Sequence, residues 1–282
     1  MWARLRRALV PYLAVLSHDR GEIGFLIWPI LWMAVLTARG LPSGWAIPIV
    51  VLAALMVFWA ARLAAHSRSS DDASRLAGVP QSRARWVAGI LAVLSVVMVF
   101  VVGEVAGYLA FAGVMAAVLI PVVQARSWLV QVHVGVVLTW GVPVTSAALS
   151  AALPNALAWL LWLTSVLWAT SGVLWRAMAT REEDARAERQ TTARLLGEAG
   201  VIAQGLLLAC TVLALLMLGA RAELGLAWWV AVAIAVLIGA VALWRARSRE
   251  ARACLHAWKL TFWQGAILFM GLLANFWMDS GA

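Results

Sequence analysis

Charge is scarce in this chain. Only 12% of its 282 residues are charged, while 64% are hydrophobic. Rules that count soluble domains from chain length therefore do not apply. Cysteine is also nearly missing. Cys210 and Cys254 stand far apart and make neither a disulfide framework nor a metal-ligand spacing. The opening MWARLRRALV is basic and then apolar, but no small-residue cleavage site follows before His18, Asp19 and Arg20. Residues 1–20 thus read as a retained interfacial helix and not as a signal peptide.

Long apolar runs are abundant. Runs of about 20 residues recur, the length a helix needs to cross a bilayer, and the mean hydropathy is +0.90. The chain reads as one all-α transmembrane domain, 1–282, with nine spans at 23–37, 45–65, 86–102, 105–123, 128–149, 157–174, 201–218, 228–244 and 260–277. With the N-terminus in the cytoplasm, inside segments collect 19 of the 22 basic residues, and outside loops hold only Arg39 and Arg221. Arg62, near the end of a span, is the remainder and reads as a snorkelling side chain. This asymmetry predicts a multi-pass protein of a bacterial-type inner membrane, N-terminus inside. It also accounts for the net charge of +9 without a nucleic-acid partner.

The densest polar stretch is WRAMATREEDARAERQTTARLLGE, residues 175–198. Unpaired charge is costly in hydrocarbon, so this island lies at a membrane surface or lines a cavity. The plain alternative is a solvated connector. The other large polar loop, 66–85, carries Asp71 and Asp72. Neighbours in sequence do not share a helix face, so they read as a turn or cap before a metal clamp. Gln131 and His133 interrupt the fifth apolar run and need partners inside the bundle. A ligand role is open to His133, but no second histidine lies at helical spacing, so a structural role comes first. The eighteen tryptophans read as interfacial anchors and packing, not as a cofactor box.

The order of several short motifs resembles the UbiA-type intramembrane prenyltransferases, nearest to the 4-hydroxybenzoate polyprenyltransferases. WPILW at 28–32 is similar to the family's WPTLW. Gln131, Gly135, Trp140, Gly141 and Pro143 follow its fifth-span pattern. Ala177 and Met178, then REED at 181–184, then Thr191, Thr192, Ala193 and Gly197, resemble its segment after the sixth span. SREARACLHAW at 248–258, with Gly265, Phe276 and Trp277, resembles its closing segment.

The resemblance implies a nine-helix bundle with a lipid-accessible cavity. It also implies magnesium held by aspartate-rich loops after spans two and six, gripping a prenyl diphosphate. Here those loops depart from the pattern. The first reads HSRSSDD at 66–72, where Asp71 and Asp72 are out of register. In the second, Val173, Arg176 and Thr180 occupy positions of an Asp, a Tyr and an Asp, and Asp184 keeps the last aspartate with Glu183 beside it. The expected metal set is Asp184, Glu183, Asp71 and Asp72, with Asp184 and Glu183 catalytic. The expected substrate-binding set is Gln131, His133, Arg126, Arg176, Arg181, Arg68 and Arg75. Magnesium wants several hard oxygen ligands, and arginine beside a carboxylate competes for it. The leading expectation is therefore a catalytically degenerate member that binds a prenyl lipid, a quinone precursor or a membrane partner protein. The alternative is an active, divergent, magnesium-using aromatic prenyltransferase of ubiquinone or related synthesis. A small-molecule carrier is a third class, but no broken span pairs repeat between the two halves.

Overall fold

The computed structural model describes residues 20–66 and 80–280. The expected interfacial helix, and Arg68, Asp71, Asp72 and Arg75, lie outside the described residues. Those described are helical, with no strand among them. A 3-10 turn, Arg20–Glu22, leads into α1 (Ile23–Ala38), followed by α2 (Ala46–His66), α3 (Gln81–Val102) and α4 (Glu104–Arg126). The fifth span is two helices, α5 (Val130–Thr139) and α6 (Gly141–Ser150). Next come α7 (Ala156–Ala179), the short α8 (Arg181–Arg186) and α9 (Thr192–Leu196), then α10 (Gly200–Arg221), α11 (Leu226–Ala246) and α12 (Ala251–Ser280). Eight spans are long and apolar enough to cross a membrane, and the 16-residue α1 is a shorter apolar helix beside them. Together they account for the nine spans read from the sequence.

Two span boundaries differ from the reading. Helix α3 starts at Gln81, directly after Pro80, and α12 starts at Ala251. Their first turns carry Arg83, Arg85 and Arg252 and look like loops in sequence. Helical hydrogen bonding continues past the hydrocarbon edge, where such side chains meet water. The break inside the fifth span has a local cause. Pro143 has no N–H to give the Thr139 carbonyl four residues back, and Trp140 N–H bonds to Val137 O at 3.3 Å instead.

Helix α7 is the central post: 61% of its membrane window is buried, against 17% for α3. It packs against α1, α5, α6, α10 and α12. Without a hydrophobic drive between helices in lipid, close approach through small residues holds a bundle together. The motif glycines lie at such contacts. A Cβ on Gly135 would sit 2.3 Å from Thr170 Oγ1 and 3.1 Å from Thr170 N, so α5 and α7 touch almost backbone to backbone. A Cβ on Gly265 would meet the Trp28 ring at 2.6 Å and the Trp168 ring at 2.9 Å. WPILW is thus a packing device. Trp28 stacks near Phe262 and Phe269, at 5.9 and 5.7 Å between centroids. One turn on, Trp32 Nε1 donates to Gly265 O at 3.0 Å.

Candidate functional site

A cavity of about 280 Å³ opens between α1 to α7. Helix α2 supplies its longest wall, from Val50 through Val57 and Phe58 to Arg62 and Ala65. At 1.5 Å per residue that wall extends about 22 Å. Small and aliphatic groups form the rest, among them Ala110, Gly113, Val137 and Val144. Polar lining is concentrated at one end, where Glu22, Arg62 and Gln124 meet. These are the start of the first span and the ends of the second and fourth, which the up-and-down order of spans brings to one side. Ser95 is the exception deeper in, and its hydroxyl is satisfied by Ala92 O at 2.7 Å.

Glu22 was not singled out by the sequence. It is drawn into the mouth because the turn before α1 tucks under the end of α7. Its Oε1 accepts from Arg176 Nη1 at 2.7 Å, a contact between residues 154 apart in the chain. Their side chains are only 14% and 27% exposed. Burial pushes the Glu22 carboxyl up to about 7. The contact with the guanidinium is as short as charge-assisted pairs are. Arg176 also lies over the Trp258 ring, 5.7 Å from its centroid. Arg176 thus bridges the turn before the first span and the end of the sixth.

Gln131 and His133 find the partners inside the bundle that the sequence requires, and neither is among the residues that line the cavity. Gln131 is buried, and its Oε1 accepts from the Thr192 backbone N–H at 2.7 Å. It thereby anchors the first turn of α9 to the fifth span. His133 Nε2 bonds to Ala116 O at 2.9 Å on α4, which makes that nitrogen the donor. Val134, Val137 and Leu138, on another face of α5, line the cavity instead. The physical reason is position. Both polar residues sit in the first turn of α5, which ends beneath the island. Gln131→Leu will consequently leave a buried N–H without a partner and cost about 1–3 kcal/mol. Denaturation in mild detergent checks this, with lipid affinity expected to change little.

The island is a folded clip. Asp184 is buried on α8 and both its oxygens are engaged. Oδ1 meets Arg189 Nε at 3.0 Å, and Oδ2 accepts from Thr180 Oγ1 at 3.3 Å. Burial raises its carboxyl above the ordinary range, against the opposing pull of Arg189 and the Thr180 hydroxyl. Glu183 is exposed, one residue and about 100° round the helix. Arg181 donates to Gly197 O at 3.4 Å, and Arg126 is exposed at the end of α4. Arg194 lies over the Trp128 ring at 5.7 Å and so ties α9 to the start of the fifth span.

No group of three or more His, Cys, Asp or Glu side chains able to hold a metal occurs among the described residues. Asp184 and Glu183 diverge, and each oxygen of Asp184 already has one protein partner. Asp71 and Asp72, the other half of the expected metal set, lie outside the described residues.

The UbiA prenyltransferase family model matches residues 77–266. The 4-hydroxybenzoate octaprenyltransferase of Xanthomonas euvesicatoria pv. vesicatoria is 32% identical over 265 residues, with 88% of this chain and 85% of the relative covered. That of Xylella fastidiosa is 29% identical over 283 residues, covering 95% and 93%. Among solved structures, a UbiA homolog from Aeropyrum pernix K1 superposes with a TM-score of 0.74 at 17% identity, over 91% of this chain and 98% of that one. A UbiA homolog from Archaeoglobus fulgidus bound to GPP and Mg2+ gives 0.58 at 13% identity, over 92% and 99%. With its nine-span bundle and a family match across most of its length, the chain belongs to the UbiA prenyltransferase family.

Proposed function

We propose that the cavity holds the polyprenyl tail of a membrane lipid, with the lipid's polar end at Glu22, Arg62 and Gln124. The observation that carries this reading is the polarity gradient along α2: apolar from Val50 to Phe58, polar only at Arg62 and its neighbours. A flexible branched hydrocarbon gains dispersion contact in such a slot, while its head stays near water. The mouth belongs at the cytoplasmic face of a bacterial inner membrane, by the partition of arginines. Val57→Trp places an indole in the slot, and lipid affinity should fall about tenfold or more without loss of the helical fold. Fluorescence titration with a short polyprenyl lipid in nanodiscs, beside circular dichroism, checks it. Unchanged affinity would remove the cavity from consideration. Orientation has its own test: a cysteine at position 70 should label from the cytoplasmic side and one at position 43 from the other.

A second reading is transfer of a polyprenyl group from its diphosphate to an aromatic acid such as 4-hydroxybenzoate. Identity of 32% to an octaprenyltransferase, across 85% of its length, favours it. Opposing it are the engaged oxygens of Asp184 and the exposed position of Glu183. In the family resemblance, magnesium supplies charge neutralisation of the departing diphosphate. No step is assigned to it on the described residues. A radiolabelled prenyl-diphosphate assay with magnesium separates the two readings. Turnover abolished by Asp184→Ala or by Asp71→Ala/Asp72→Ala would establish the transferase. Lipid binding without product would leave the binding protein.

A further inference from the structure

We propose that the corner where α11 turns into α12 binds the headgroup of an anionic phospholipid, whose acyl chains lie along the outer face of α12. Two hydrogen bonds set the register of this antiparallel pair. Gln264 Nε2 donates to Ala235 O at 2.7 Å, and Arg245 Nη1 donates to His256 Nε2 at 2.9 Å. Arg245, Arg247, Arg252 and Lys259 are thereby gathered at one corner, all exposed. None of the four has a carboxylate partner among the described residues. Arg249 beside them is already taken, by Glu198 at 3.4 Å. Glu250 is the only carboxylate in the connecting turn, 247–250, and Arg252 stands between it and the apolar stretch that follows.

What adjoins the cations decides the chemistry of the ligand. Arg252, His256, Lys259 and Trp263 recur at helical spacing, so they form one stripe on α12, and all four are exposed. Met270 continues the stripe with an exposed apolar side chain. On α11, Trp244 is exposed and Arg247 lies over its ring, 5.3 Å from the centroid. An exposed indole beside cations at the end of a span sits at headgroup level. Trp263 lies about 10 Å further along the axis than His256, among the acyl chains. A soluble polyanion reaches the arginines but not Trp263. A lipid meets both, with its phosphate on the guanidinium and ammonium donors and its chains over Trp263 and Met270. Lys259 enters the site from within, because its long stem carries the ammonium back towards the phosphate. A phosphodiester with an uncharged glycerol head matches the patch, whereas a choline head sets its own cation against the arginines.

Native mass spectrometry of the full-length protein in detergent counts bound lipids. The probes are dioleoylphosphatidylglycerol, dioleoylphosphatidylcholine and glycerol 3-phosphate. Wild type should bind phosphatidylglycerol roughly tenfold more tightly than phosphatidylcholine or glycerol 3-phosphate. Each basic residue is worth about fivefold on an anionic surface, so Arg245→Gln/Arg252→Gln/Lys259→Gln should weaken phosphatidylglycerol about a hundredfold. Arg252→Gln/Lys259→Gln leaves the contact between Arg245 and His256 in place and should lose about thirtyfold by the same reckoning. Circular dichroism confirms that both variants keep the helical fold. Arg83→Gln/Arg85→Gln removes two exposed cations from the start of α3 and should change the affinity by less than about twofold, since a site is lost only with its own residues. Equal binding of the two lipids, glycerol 3-phosphate binding as tightly as the lipid, affinity unchanged in the α11 and α12 variants, or an equal loss in the α3 variant would each overturn the site.

Discussion

Arg176→Ala will destabilise the protein by about 3 kcal/mol, and the loss will depend on pH. Removing one partner of a largely buried ion pair strands the other charge in a low-dielectric site, at a cost of about 3–5 kcal/mol. The lower end applies because Arg176 retains 27% exposure. The pair joins the turn before α1 to the end of α7, so the defect separates two spans rather than loosening a loop. In the variant, Glu22 keeps the burial that raises its carboxyl, now without the guanidinium. A carboxyl whose folded pKa lies above its unfolded value is tolerated below the unfolded value and destabilises as pH rises through the folded one. The deficit should therefore be large at pH 8 and small at pH 5. Glu22→Gln in the same background should remove that dependence, and Glu22→Leu/Arg176→Met should recover most of the stability. Chemical denaturation in a fixed detergent at several pH values measures all of these. A pH-independent deficit would show that Glu22 is not the stranded group.

Trp168→Ala should cost about 3–4 kcal/mol, the range of large aromatic deletions in packed interiors. Trp168 is 3% exposed, with Phe25 at 4.7 Å and Trp32 at 5.0 Å between ring centroids. Its Nε1 donates to Thr261 O at 3.1 Å. Removing the indole therefore takes away two aromatic contacts and one tie between α7 and α12. In lipid the usual transfer from water contributes little, and the penalty comes from lost dispersion and the void. Trp168→Phe should recover the packing but not the hydrogen bond, and should cost about 1–2 kcal/mol. A Trp168→Ala protein that denatures like wild type would remove this cluster from the core.

The spans were readable because each carries its own signal, a run of apolar residues as long as the hydrocarbon. WPILW and Gly135, Gly141 and Gly265 were readable as a pattern, and their packing explains why. Gly141, for example, lies under Ile30, whose Cγ1 would be 2.5 Å from an added Cβ. The site was less legible. Gln131 interrupts an apolar run and so demands a partner in the bundle, but which one was not readable: it is a backbone N–H 61 residues away. Asp184 and Glu183 are adjacent in sequence, and helical rotation sends one inward to Arg189 and the other to water. Glu22 looked like a boundary residue before a span. What could have marked it is an arginine, Arg176, at the end of an apolar run and lacking an acidic neighbour one turn earlier. Joining the two needs the up-and-down order of spans, because both lie at the same end of the bundle.

Helix α1 has 16 residues, about 24 Å of rise, and most of them are buried. The helices that meet lipid, α3 and α4, have 22 and 23 residues, and they set the thickness that the surrounding bilayer adopts. Against a hydrocarbon layer of about 30 Å, a helix of this length falls short by several ångströms, which would set Glu22, at its start, below the level the longer helices reach. A lipid held as proposed would be out of step with its own leaflet, sunk towards the midplane, and would have to climb that step to leave. Thickening the host membrane raises the step, so residence time should lengthen with acyl-chain length even though no contact inside the protein changes.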